Sequence, residues 1–145
     1  MPALQDDYSQ VVLVPSPAAG AGFTFTPSGR NFNRIRTVCF QVVTSSAVAS
    51  RIVYLDVIDG GGSRLGRFSS GFTQTASLTT IYTFGLGMNV YGADAAASLG
   101  APLAPLWLEL GGRVTVGITA VDSSDQVSDV IVTLDQISYA AADEE

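Results

Sequence analysis

Large apolar residues recur at every second position in short runs along this chain of 145 residues. That is the period of a strand with one face buried. Phe23-Thr24-Phe25-Thr26 alternates in this way, and so does Ile52-Val53-Tyr54-Leu55-Asp56-Val57-Ile58, where Val53, Leu55 and Val57 share a face. Val11 to Val14 is a short apolar strand ended by Pro15 and Pro17, Leu65 to Ser69 reads as a weaker strand, and Gln74 to Phe84 reads as a strand rich in threonine and aromatics. Ile35 to Thr44 carries apolar residues on both alternating faces, which predicts a strand covered on both sides. In the last third, Leu106 to Leu110, Gly111-Gly112 and Arg113 to Thr119 predict a two-residue hairpin, and Val130 to Leu134 predicts a closing strand.

The turns between these runs have the residues they need. Asp59-Gly60-Gly61-Gly62-Ser63 is a hairpin signal, because aspartate and glycine accept positive φ. Residues 85–104 form a long Gly/Ala-rich connection, irregular except for a helical turn over Asp94 to Leu99. Many short strands at even spacing, without a long helix, predict an all-β fold, a jelly-roll β-sandwich of about eight antiparallel strands. The expected organisation is an N-terminal arm with a first short strand over 1–21, the sandwich over 22–139 with its 85–104 loop, and an acidic tail over 140–145.

Composition narrows the chemistry. The chain has no histidine and one cysteine, Cys39, and its seven basic residues are all arginines. Histidine is the side chain that ordinarily titrates near neutral pH, and lysine is needed for Schiff bases and the P-loop. Their absence, with no thiol–imidazole pair available, makes an enzyme the least expected class. No cofactor is expected. Hydrophobic residues make up 47% of the chain and charged ones 14%, about half the usual charged share, which fits a large core, surface covered by other subunits, or both. A net charge of −6 argues against nucleic-acid and anionic-membrane partners. No run is long and apolar enough to span a bilayer, and Met1 to Asp7 lacks the pattern of a secretory signal. Synthesis in a cytoplasm is the expectation.

The order of signals has a likeness: the Pro/Ala/Gly loop before Phe23-Thr24-Phe25, then Ala49-Ser50-Arg51-Ile52-Val53-Tyr54-Leu55 running into Asp59-Gly60-Gly61-Gly62, then Gln74-Thr75-Ala76-Ser77-Leu78-Thr79. Pro105-Leu106, Gly111-Gly112-Arg113-Val114 and Asp122 to Asp125 follow. Over roughly Gly20 to Leu134 this resembles the small jelly-roll virion proteins of tailed bacteriophages, which include capsid decoration (cement) proteins, head-spike bases and tail components. The resemblance implies no catalytic residues. It implies a virion protein that assembles with the major capsid protein or other virion proteins, as a homo-oligomer with a trimer favoured. A head-spike base, collar or tail role is the variant of this expectation. A carbohydrate-binding module for host-surface glycans is the alternative from another class, since jelly rolls also serve lectins.

Candidate interface residues are Trp107, Tyr91, Met88, Leu99, Val11 and Leu13, with Arg30, Arg34 and Arg36 as a possible dock for partner carboxylates. The plainer readings are sheet packing for the apolar set and surface charge balance for the arginines. Trp107, Tyr54, Tyr82 and Tyr91 are the aromatics available for a sugar platform. Asp122, Asp125 and Asp129, with Ser123 and Ser124, hold oxygen ligands of the type calcium takes, but their spacing is not that of an EF-hand, and a solvated loop explains them. No metal is expected. Asp56 and Glu109 are a carboxylate pair of the kind glycosidases use only if the fold brings them together; otherwise they are outward polar positions of half-buried strands. Cys39 reads as a buried, inert thiol.

Overall fold

The computed structural model describes residues 4–27 and 32–139. They form ten strands and no helix: β1 (Leu4–Val14), β2 (Thr24–Phe25), β3 (Phe32–Val43), β4 (Val53–Ile58), β5 (Arg64–Ser69), β6 (Thr79–Leu86), β7 (Ser98–Leu103), β8 (Trp107–Leu108), β9 (Arg113–Ile118) and β10 (Gln126–Tyr139). One sheet has the order β1-β10-β3-β6-β7, with β8 also pairing β3, and the other has the order β2-β9-β4-β5. The chain crosses between the sheets at every joint except β4–β5 and β6–β7–β8, and its first strand pairs with its last. Two Greek keys folded in this way are the jelly roll that the strand spacing predicts.

The period-2 pattern explains the core. On β3, Ile35, Val38, Phe40 and Val42 point inward and are buried, and they meet Val53, Leu55 and Val57 of β4 and Val114 and Val116 of β9. Phe40 lies at the centre, edge-on to Phe23 with ring centroids 5.5 Å apart and stacked on Tyr82 at 5.6 Å. Such pairs contribute about 0.5–1.5 kcal/mol beyond area burial. The other face of β3 is only half covered, so this strand is not shielded on both sides as its composition predicts. The β4–β5 hairpin forms at the expected turn, where Asp59 Oδ1 accepts the Gly61 and Ser63 N–H groups at 3.0 and 2.8 Å.

Two expectations about connections change. The 85–104 segment is not an irregular loop. Its second half is β7, which runs parallel to β6. A parallel neighbour requires a crossover, and residues 87–97 make that return pass, turning at Ala93–Ala96 and bridging Tyr91 to Gly100. The Gly111-Gly112 hairpin does not form either. β8 pairs with β3 in one sheet, while β9 pairs with β2 and β4 in the other. The glycines therefore carry the chain between sheets. Leu108 fills the core from β8, and Leu110 is left exposed. The first strand is longer than Val11 to Val14, because its pairing with β10 continues back to Leu4.

Candidate functional site

The two outer faces of the sandwich differ in chemistry. On the six-stranded sheet, register places Leu13, Ile131, Cys39 and Thr83 in one outward row. Val11, Thr133 and Thr37 form the next row, while Gln41 beside Ile81 and Val43 beside Thr79 complete the surface on the other side. Val11 is 65% exposed and Leu13 75%, and Val43, Ile81 and Ile131 are also exposed. The return segment lies against the same sheet. A Cβ on Gly85 would meet Met88 Sδ, and one on Gly100 would meet the Tyr91 ring, so these two glycines admit side chains folded onto the outer face.

At one corner of this face sit the arginines. Arg34 donates to Asp135 at 2.9 Å, Arg36 lies 3.5 Å from the same carboxylate, and Ser9 Oγ donates to it at 3.0 Å. Burial opposes the Asp135 charge, but hydrogen bonds from Arg34 and Ser9 and the charges of Arg36 and Arg34 outweigh it, holding the carboxyl below its usual range. The Arg34 guanidinium also lies 4.9 Å from the Trp107 ring centre, a cation–π contact. Among the described side chains two cations face one anion here, an excess of one positive charge. The corner borders a cleft of about 340 Å³ floored by Leu86, Leu103 and Pro105. The chemistry available there is an ion pair to a carboxylate with an apolar body alongside it.

The outer face of the four-stranded sheet is polar. Asp56, Arg67 and Thr115 share a row, as do Tyr54, Ser69 and Gly117. Arg67 grips Asp56 with two hydrogen bonds of 2.7 and 2.8 Å and lies 4.0 Å from the Tyr54 ring centre. The hydrogen bond to Asp56 raises the Arg67 pKa. Asp56 is outward as its strand position predicts, yet it is held under Arg67 and largely buried, while Glu109 is exposed in the β8–β9 connection.

The sequence gives little sign of the buried polar groups at one end of the sandwich. Arg51 and Asp125 are both wholly buried and joined at 2.7 Å. Arg51 also donates to the Ala47 and Ala49 carbonyls at 3.1 and 3.2 Å. Asp125 accepts the Ser45 and Asp122 N–H groups at 2.8 and 2.9 Å. Burial disfavours the Asp125 charge, and those two backbone bonds with Arg51 more than reverse it, lowering its pKa. Beside this pair, Gln74 donates to the Val42 carbonyl at 2.9 Å and accepts the Tyr82 hydroxyl at 2.8 Å. Burial pushes the Tyr82 pKa up. In the sequence Arg51 stands among alanines and serines, and its partner is 74 residues away.

Of the candidate interface residues, Val11, Leu13, Met88, Tyr91, Trp107, Arg34 and Arg36 lie on or beside the outer face of the six-stranded sheet. Leu99 does not. It is 1% exposed, because alternation along β7 turns it into the core, and no partner can reach it. Arg30 lies outside the described residues. Cys39 faces outward and is half-buried, not sealed in the core, with Thr83 Oγ1 3.7 Å from its sulfur. Tyr82 is core, so it joins no sugar platform. Among the described residues no group of three or more acidic or thiol side chains is placed to hold a metal, and Asp125 is already committed to Arg51.

No family model matches the chain, and no curated protein matches it. Among solved structures it is similar to infectious bursal disease virus, Gt strain, at 10% identity and a TM-score of 0.32, covering 98% of this chain and 45% of that one. The Gx strain of the same virus matches at 12% identity and a TM-score of 0.24, covering 97% and 41%. The crystal structure of the VP2 subviral particle of that virus matches at 11% and 0.24, covering 94% and 42%. The chain thus spans less than half the length of each. At such identities and scores, any reading of this chain's role rests on its own residues.

Proposed function

We propose that the chain is a structural subunit of a virus particle, of the kind that decorates and cements the head of a tailed bacteriophage. It meets the major capsid protein or other virion proteins through the outer face of its six-stranded sheet. One observation carries this reading: an outward sheet face with Val11, Leu13, Val43, Ile81, Tyr91, Trp107 and Ile131 all exposed, on a protein of net charge −6. Single exposed apolar residues need no explanation, but a patch spanning four adjacent strands does. The Arg34–Arg36 corner supplies the polar rim, where a partner carboxylate gains orientation.

The role is passive. A rigid sandwich binds only the closed shell and so stabilises it by mass action, as any ligand of one state does. The test is incorporation into particles. Gold-labelled antibody to the purified protein is expected to decorate intact virions of the phage whose genome encodes it. The Val43→Glu/Ile81→Glu variant is expected to fold normally and be missing from the particle. Absence of the native chain from purified virions, or undiminished incorporation of that variant, refutes the reading.

A further inference from the structure

Of the four sheet edges, three are blunted. β2 is two residues long. β5 has arginines at 64 and 67 and a register shift where it meets β4. The free side of β7 carries Pro102 and is capped at Gly100, whose N–H and C=O bond the Tyr91 backbone at 3.0 and 3.1 Å. The fourth edge, β1, is eleven residues long, and among the described residues nothing pairs with its free side. From Ser9 to Val14 it has no charge, no proline and no register shift. Proteins that stay monomeric blunt such edges with those devices.

We infer that β1 pairs antiparallel with β1 of a second copy of this chain, about a two-fold axis through Val12. The faces of the strand fix the axis. Val11 and Leu13 face outward beside Thr133 and Ile131, while Val12 and Val14 face the core side beside Val132 and Val130. Cross-strand neighbours share a face, so the axis must pass through a residue and not between two. With the axis at Val12, Val11 of each copy meets Leu13 of the other, and these two exposed apolar residues of β1 form one four-residue apolar cluster. The outward apolar row of Leu13 and Ile131 then continues across the joint. An axis at Val11 would instead set Leu13 against Ser9.

Charge permits this pairing. The paired span, Gln10 to Val14, is neutral, and Asp6 and Asp7 of the two copies lie at opposite ends of it. An edge contact of this length falls below the roughly 1,200 Å² of a standard interface, so the dimer is weak in dilute solution and filled at high local concentration. The inference does not depend on a virion role, since self-pairing is read in purified protein without any particle.

The test uses sedimentation equilibrium from micromolar to millimolar protein and disulfide trapping in a Cys39→Ser background. A monomer–dimer equilibrium is expected, weakened at least tenfold by Leu13→Lys, with thermal stability kept because Leu13 is 75% exposed. Mixed Val11→Cys and Leu13→Cys proteins are expected to cross-link to each other faster than either does to itself. A monomer at every concentration, or a dimer indifferent to Leu13→Lys, overturns the pairing. Preferred self-cross-linking of Val11→Cys overturns the register.

Discussion

Replacing Asp125 by asparagine tests the buried polar end of the sandwich most directly. The substitution keeps the shape and one acceptor oxygen but leaves the Arg51 guanidinium wholly buried without a counter-charge. Breaking a buried pair from one side costs about 3–5 kcal/mol, because the survivor keeps its desolvation penalty. For a domain of this size each kcal/mol moves Tm by about 2–4 °C, so the expected drop is roughly 6–20 °C. The pair also has a pH signature. The Asp125 pKa is lowered in the fold, so the stability it confers is complete above the unfolded carboxylate pKa of about 3.9 and is lost as pH falls through the lower folded value. The stability gap between native protein and Asp125→Asn should therefore be constant near neutrality and close in acid. Urea titrations of the native chain, Asp125→Asn, Arg51→Met and the double variant, at pH 7 and at pH 3, measure all of this. Coupling of about 2 kcal/mol or more between the two sites is expected at pH 7. Additive losses, or a gap that widens in acid, refute the reasoning.

Tyr82→Phe leaves the buried Gln74 oxygen without its 2.8 Å donor and should cost about 1–3 kcal/mol by urea denaturation, with the fold unchanged in circular dichroism. Gly100→Ala drives a Cβ into the Tyr91 ring, so it should lift the return segment from β7 and raise hydrogen exchange at Tyr91 and Gly100 while β3 and β10 stay protected. Trp107 is 39% exposed, so acrylamide should quench its fluorescence in the free protein and quench it less once the outer face is covered by a partner. Asp135→Asn removes the anion between Arg34 and Arg36, and should flatten part of the acid limb of stability, because that carboxyl too is held below its usual range.

The period-2 runs made the sandwich legible because alternation reports which face of a strand is buried. β4 and the core role of Val53, Leu55 and Val57 are legible for that reason, while the β4–β5 turn is legible from its aspartate and glycines. Pairing partners were not legible where two runs lay close in sequence but joined different sheets. Leu106 to Leu110 and Arg113 to Thr119 have the alternation and the glycines of a hairpin, yet β8 is taken by β3, because Leu108 fills a core position that Leu110 cannot also reach. The Gly/Ala run before Leu99 hid β7 because small residues carry no amphipathic signal. Gly100 is small because the Tyr91 ring occupies the space of its side chain. The pairing of Arg51 with Asp125 is not legible, because each reads as a surface or loop residue until the 74-residue separation between them is closed.

The two kinds of polar and apolar anomaly sit apart in the molecule, and that separation has consequences. The buried pair ties the loop after β3, through Ser45, Ala47 and Ala49, to the Asp122–Asp125 turn before β10. It therefore fixes where β3 and β10 meet the end of the sheet, and these central strands carry Val43 and Ile131 of the exposed apolar face and support the strands on either side. Holding that face flat and in register by a rigid end costs nothing at the face itself, where no polar anchor is needed. Variants at Arg51 or Asp125 should then lower stability and disturb assembly together. Variants at Leu13 or Ile81 should disturb assembly alone, because a residue already exposed contributes little to folding. If outer-face variants lost stability in step with assembly, that face would be completing the fold and not awaiting a partner.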